Sequence, residues 1–418
     1  MSLIDSINRP GVANALEQRQ LELNLLAKQG DQNLFPQQLI ESNPEQLLLE
    51  SVATSSAANS SKGLLEQALL EQKLGKKAAA KAHLETVEKI GNKDEIALAS
   101  ALLATTKSTN NRISSLPPLP NRPVYRLLSC DALAKPSQLC VAPGVINQAK
   151  IRLLLVNLLP LSGVIAGVFL LGRLGWQTWR HRLEAAPELS APDLTLIETI
   201  LIVAGGFVVL GEVIVPLVAM PFVSWVANHL PLSSAARGGA VVMGLYSFTA
   251  APALLLIWAF KAGGLQWRAE WNRLAEGGKG LLLALPPVAL VGWIVEKIWP
   301  QAGGSNPLLE QVLDSRNGTA LFLLAFTAVV LAPLFEEVLF RGVLMPVVGR
   351  YWGNLAGITI SATIFALAHL SLSEAAPLLV LGLGLGWIRL RSGSLVSCVV
   401  MHGLWNGLTF FNLIMLGS

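Results

Sequence analysis

Eight apolar runs, each close to the roughly 20 residues that carry a helix across the hydrocarbon core of a bilayer, dominate the sequence after residue 150. They cover about 153–172, 196–222, 238–260, 280–299, 318–340, 353–370, 375–390 and 394–416. The sixth opens on polar residues and the seventh is short, so a count of seven also fits. Lipid offers a backbone no hydrogen-bond partners, and the runs lack the alternation of barrel strands, which leaves helices. Only 14% of the residues are charged and 52% are hydrophobic, whereas soluble domains average about a quarter charged. The expected fold is therefore all-α: a multi-pass integral membrane bundle of about eight spanning helices, with a helical soluble domain at the amino-terminal end.

That soluble domain is expected over residues 1–108, where leucines such as Leu16, Leu21, Leu23, Leu25 and Leu26 recur among Gln, Glu and Ala. The stretch LLEQALLEQKLGKKAAAKAHLETVEK has the character of a helical-repeat hairpin that binds a protein partner; a plain helical pair is the other reading. Residues 109–150 read as a Pro-containing linker, SLPPLPNRP, followed by Cys130 and Cys140. A disulfide between these two, if the segment faces an oxidising compartment, and two free thiols both remain open. The transmembrane domain is expected over 151–418, with its chemical core at about 280–418. Met1–Pro10 has no apolar core, so no cleavable signal peptide is expected there.

The formal net charge of +4 is small for 418 residues. No basic stripe, zinc knuckle or phosphate-binding glycine loop appears, so no nucleic-acid partner is expected. Basic residues concentrate in alternate loops: Arg173, Arg180 and Arg182; Lys261, Arg268, Arg273 and Lys279; then Arg389 and Arg391. The intervening loops hold only Arg237, Lys297 and Arg316. Odd-numbered loops are thus expected in the cytoplasm. This would put the first 150 residues on the opposite face, an arrangement at odds with the lack of a signal peptide.

Ionisable side chains inside spanning helices are expensive and usually mark function. Three groups stand out: Glu336, Glu337 and Arg341 in FEEVLFRG; Phe365 with His369; and His402 with Asn406. Glu337 and Arg341 are one helical turn apart, so the guanidinium can neutralise one carboxylate and leave Glu336 free. His402 and Asn406 share that spacing and are aimed at one cavity. With about 1.5 Å of rise per residue, Glu336 lies about 15 Å, His369 about 24 Å and His402 about 12 Å into the membrane. A carboxylate in such a place can serve as general base for water, with an imidazole and an amide as oxyanion donors. Glu336, His369 and His402 also form a plausible divalent-metal set of the zinc-hydrolase kind. Each group taken singly has a structural reading too, as an ion pair or polar contact that holds the bundle.

In order, these residues satisfy EExxxR, FxxxH and HxxxN, and over roughly 280–418 the sequence resembles the family of intramembrane proteases that includes CAAX prenyl endopeptidases and bacteriocin-processing enzymes (the CPBP or Abi family). The resemblance implies an all-helical fold and endoproteolysis of a membrane-associated protein or peptide. It implies that Glu336 and His369 activate water, that His402 and Asn406 stabilise the oxyanion, and that Glu337, Arg341 and Phe365 support them. The family is described as metalloproteases, yet a metal-free glutamate mechanism also fits, so the cofactor is either none or a divalent metal such as zinc. The metal-free form is favoured, because Asn406 is a poor zinc ligand and Glu336 has a role as base.

Two other classes remain. One is a catalytically inactive membrane scaffold or immunity-type protein acting through partner binding. The other is a transporter using Glu198, Glu212 and Glu296, although no inverted repeat is evident.

Overall fold

The computed structural model describes residues 12–28, 41–55, 57–107, 117–180, 189–299, 311–313 and 315–417. Met1–Pro10, Arg182 and the start of the Pro-rich stretch lie outside the described residues. Among the described residues the regular structure is helical throughout. Two compact units emerge, Val12–Leu159 and Pro160–Ile414.

The first unit begins with five helices, α1 (Val12–Lys28), α2 (Pro44–Thr54), α3 (Ser61–Lys73), α4 (Lys77–Ile90) and α5 (Lys93–Lys107). Each packs on the next, and α6 (Pro123–Ala132) closes on α1 and α3. The leucine spacing explains the packing: Leu25, Leu48, Leu69, Leu84, Leu98 and Leu102 are all buried, each contributing about 1.5–3 kcal/mol. The segment read as a linker thus holds a helix whose Tyr125, Leu127 and Leu128 are buried in this unit. Arg122, just before α6, donates to Glu22 Oε1 at 2.7 Å. Even so, burial pushes the carboxyls of Glu22 and Glu66 above the usual carboxylate value, against the pull of Arg122.

Cys130 and Cys140 are joined in a disulfide with their Cα atoms 6.3 Å apart. A closed loop with a separation of 10 residues is worth about 2–3 kcal/mol on chain-entropy grounds. Cys130→Ser is expected to lower the unfolding free energy of this unit by that amount, read by denaturant-dependent proteolysis without reductant. Equal stability of variant and wild type would show that the bridge does not form.

The second unit is the membrane bundle. Its long helices are α7 (Pro143–Trp179), whose first part lies in the first unit, α8 (Leu196–His229), α9 (Ser234–Ala259), α10 (Trp271–Ile298), α11 (Gly318–Trp352), α13 (Leu372–Ser392) and α14 (Leu395–Leu416). All seven are long and apolar enough to cross a membrane. Their outward faces carry bare apolar side chains such as Phe169, Leu217, Val218 and Trp258, as lipid contact requires. The protein is a multi-pass integral membrane protein.

Of the eight runs, the sixth (353–370) is the short one, which leaves seven spans, the count that the sequence also allowed. α12 (Asn354–Ala368) is the shorter helix, about 22 Å long against a core about 30 Å thick. Its apolar run continues past its end into the turn His369–Ser371, where Leu370 takes a positive φ of 50°. Arg350, Tyr351 and Trp352, just before α12, suit the membrane interface. Counted from there, the turn falls at membrane depth, where irregular backbone is tolerated only beside a cavity or within protein.

Small residues set the helix approach around the site, as in other membrane bundles. A Cβ on Gly382 of α13 would come within 3.0 Å of Ala362 on α12. Gly353 (φ 87°) and Gly393 (φ 62°) allow α11 to pass into α12, and α13 into α14, through very short turns. Gly382→Val is expected to destabilise the bundle by about 1–3 kcal/mol through overpacking, checked by thermal unfolding in detergent; an unchanged midpoint would contradict this register. Two apolar clusters result. One gathers α8, α9, α11 and α12 around Phe207, Phe335, Phe340 and Phe365; the other gathers α10, α13 and α14 around Leu385 and Met401.

Candidate active site

The site is built on the middle of α11, which is not a uniform α-helix. Thr327–Leu331 and Val338–Leu344 are π-helical, and Ala332–Glu337 between them is α-helical. π-turns are frequent at functional sites because they re-aim side chains and release backbone carbonyls. Two released carbonyls are used here. Ala328 O accepts from Asn406 Nδ2 at 2.8 Å, and Arg341 O accepts from Arg389 Nε at 3.2 Å.

Glu337 and Arg341 are 0% exposed, and Arg341 Nη1 donates to Glu337 Oε1 at 2.9 Å. Arg341 Nη2 also donates to Gly382 O at 3.1 Å, through the close approach that Gly382 permits. The guanidinium lies 4.5 Å from the Phe365 ring centre, a cation–π contact. Across the bundle, His402 Nδ1 is 2.8 Å from Glu337 Oε1. A carboxylate oxygen only accepts, so Nδ1 carries the proton and Nε2 is turned the other way. His402 Nε2 stands 3.9 Å from Glu336 Oε2.

Glu336 has a different environment. Its side chain is 14% exposed, and its Oε1 accepts from the Tyr246 hydroxyl of α9 at 3.1 Å. Its Oε2 is buried with no hydrogen-bond partner in the protein. The two neighbouring acids therefore differ in kind. Each keeps one oxygen without a hydrogen-bond partner, Oε2 in both, but Glu337 is fully buried and held through Oε1 by a guanidinium and an imidazole, while Glu336 is partly exposed, held by a hydroxyl, and turns its Oε2 toward His402.

His369 occupies the turn after α12. Its Nδ1 is 2.8 Å from Phe365 O, a carbonyl, so Nδ1–H donates and Nε2 is the accepting nitrogen. The Phe365 ring joins the groups, at 4.8 Å from the His369 ring and 5.6 Å from the His402 ring. Glu374 lies in the first turn of α13, directly after the His369–Ser371 turn, and Glu212 lies in the π-helical part of α8.

The structure thus brings Glu336, Glu337, Arg341, Phe365 and His402 into mutual contact. Asn406 is fixed on α11 and His369 is tied to Phe365. Tyr246, Glu374 and the buried role of Arg389 were not read from the sequence. Arg389 was assigned to a cytoplasmic loop; it lies in α13, 0% exposed, with Nη2 donating to Gln266 Oε1 at 2.9 Å. A tyrosine in the middle of an apolar run, in a chain with only three, is the one sequence signal that Tyr246 offers. Glu198 has a local role: it forms a capping box with Thr195 at the start of α8.

The same geometry tests the metal reading. Among the described residues no group of three or more His, Cys, Asp or Glu side chains is arranged to hold a metal ion. His402 and His369 each keep Nε2 open, with Nδ1 held by the Glu337 carboxylate and the Phe365 carbonyl, the orientation a ligating histidine usually has. The imidazoles are oriented as ligands would be, but the side chains of Glu336, His369 and His402 are not gathered as a three-donor metal site.

Comparison with known proteins adds four findings. Residues 13–151 match a domain of unknown function, DUF8675. A 103-residue stretch is 33% identical to an uncharacterised 24.3 kDa protein of Escherichia coli, covering 23% of this chain and 48% of that protein. The chain therefore spans about half the length of that curated relative. No solved structure matches. Residues 318–408, which hold all three motifs, match the type II CAAX prenyl endopeptidase Rce1-like family. The chain carries an Rce1-like domain at residues 318–408, in the family that its three motifs resemble.

Proposed function

We propose that this protein is an intramembrane endopeptidase that hydrolyses a peptide bond in a membrane-associated protein or peptide. The observation that carries the reading is the difference between adjacent acids: Glu337 is fully buried and tied through Oε1 to Arg341 and His402, while Glu336 is 14% exposed and its Oε2 stands 3.9 Å from His402 Nε2. In the proposed reaction Glu336 Oε2 takes a proton from water as the water oxygen bonds to the carbonyl carbon. The carbon–nitrogen bond then breaks, and Glu336 returns the proton to the leaving amine. One water is consumed and one carboxylic acid and one amine are formed.

The developing oxyanion is expected beside His402 Nε2 and the second Nδ2 hydrogen of Asn406. Nε2 donates when His402 is protonated, and the Glu337 carboxylate on Nδ1 stabilises that charge. In the same reading His369 Nε2 accepts or passes a proton at the membrane-depth turn. The substrate is expected to enter from the bilayer, since the reacting groups lie at membrane depth.

The test compares peptide termini in membranes from cells expressing the wild type or Glu336→Ala at equal levels. New termini present only with the wild type support the reading. Identical termini, with a phenotype that still depends on the protein, would favour a binding scaffold.

A further inference from the structure

We infer that Tyr246 is a positioning residue for Glu336, contributed from outside the Rce1-like segment. The inference rests on the hydrolytic reading and assigns to α9 a part of the site that residues 318–408 do not contain.

Tyr246 lies in the middle of α9, where a hydroxyl needs a partner that lipid cannot supply. It finds Glu336 Oε1 at 3.1 Å. The ring packs edge-on against Phe335, the residue before Glu336, with centroids 6.3 Å apart. Packing and hydrogen bond together fix the carboxylate at two adjoining points. Because Oε1 is engaged, Oε2 is the oxygen left for water, and it is the one that faces His402 Nε2 at 3.9 Å. A carboxylate free to rotate would present either oxygen; the Tyr246 bond selects one. Such preorganisation is where a hydrogen bond away from the reacting atoms changes rate more than binding.

Glu337 also has an unpartnered Oε2, but Arg341 and His402 both hold its Oε1 and it is fully buried. Tyr246 thus acts on the acid that is free to react, which separates it from the structural ion pair one residue away.

The experiment uses the full chain in lipid nanodiscs with ¹³C at the tyrosine ring carbon bearing the hydroxyl. Tyr125, Tyr246 and Tyr351 are the three tyrosines of the chain, so single Tyr→Phe variants assign the three signals. Glu336→Gln, which replaces a charged acceptor by a neutral amide, is expected to move the Tyr246 signal and leave Tyr125 and Tyr351 in place. An unmoved Tyr246 signal would overturn the contact.

The second arm measures the Glu336-dependent termini. Tyr246→Phe keeps the ring against Phe335 and is expected to slow their appearance about 10- to 100-fold, the range for a hydrogen bond to a charged group. Wild-type rates in Tyr246→Phe, once the wild-type spectrum has shown the contact, would overturn the positioning role. If the wild type itself produced no Glu336-dependent termini, the hydrolytic reading and this role would fall together. The spectral arm would still report independently on the contact.

Discussion

Arg341→Met is expected to destabilise the membrane bundle by about 3–5 kcal/mol, the loss found when one partner of a buried ion pair is removed. Arg341 and Glu337 are both fully buried and 2.9 Å apart, so the substitution leaves a carboxylate with no guanidinium in a low-dielectric interior. It also removes the donor to Gly382 O, which ties α11 to α13, and the cation over Phe365. Neutralising both partners is a different matter. Replacing a whole buried pair by neutral groups of similar volume is often nearly neutral, so adding Glu337→Gln is expected to recover much of the lost stability. A thermal double-mutant cycle in detergent reads the coupling. Additive losses would show that the pair is not coupled as the structure places it.

Glu336→Gln should have the opposite profile, with little change in stability and a large change in turnover. Glutamine is isosteric and can still accept from Tyr246, so the fold around α9 and α11 is retained. It cannot take a proton from water at neutral pH. General-base catalysis contributes typically 10²- to 10⁴-fold, and a loss of about that size is expected. Because Glu336 and Glu337 are adjacent yet differently bound, Glu337→Gln is a useful contrast. It removes the anion that faces both Arg341 and His402, so it should disturb folding as well as rate. A Glu336→Gln variant that unfolds would place Glu336 among the structural residues instead.

The helices were legible because each apolar run has to bury its own backbone hydrogen bonds in lipid. Their ends were less so. α10 begins at Trp271, well before the run expected from 280, because a helix continues into water wherever polar residues permit it. The count stayed open between seven and eight because hydropathy does not register a turn made of His369, Leu370 and Ser371 after α12. Cation counting likewise misplaced Arg389, since a buried arginine next to the end of an apolar run has the same local sequence as a loop arginine.

Within the site, contacts inside one helix followed from spacing, as with Glu337 and Arg341. Contacts between helices did not. Nothing local to Tyr246 indicates that α9 meets α11 at Glu336, and nothing local to Asn406 indicates a freed carbonyl at Ala328. The latter depends on a π-turn, which has no simple sequence signature. The pairing of His402 with Glu337 at 2.8 Å, while its other nitrogen faces Glu336, likewise needs the relative placement of α11 and α14.

The central claim is that Glu336 is the base that activates water. Its most direct test takes one terminus found by the membrane comparison and measures its rate of appearance with purified wild type and Glu336→Gln in nanodiscs, at matched thermal stability. A rate in the variant lower by about 10²-fold or more is the predicted result. Equal rates in two equally folded proteins would contradict the account.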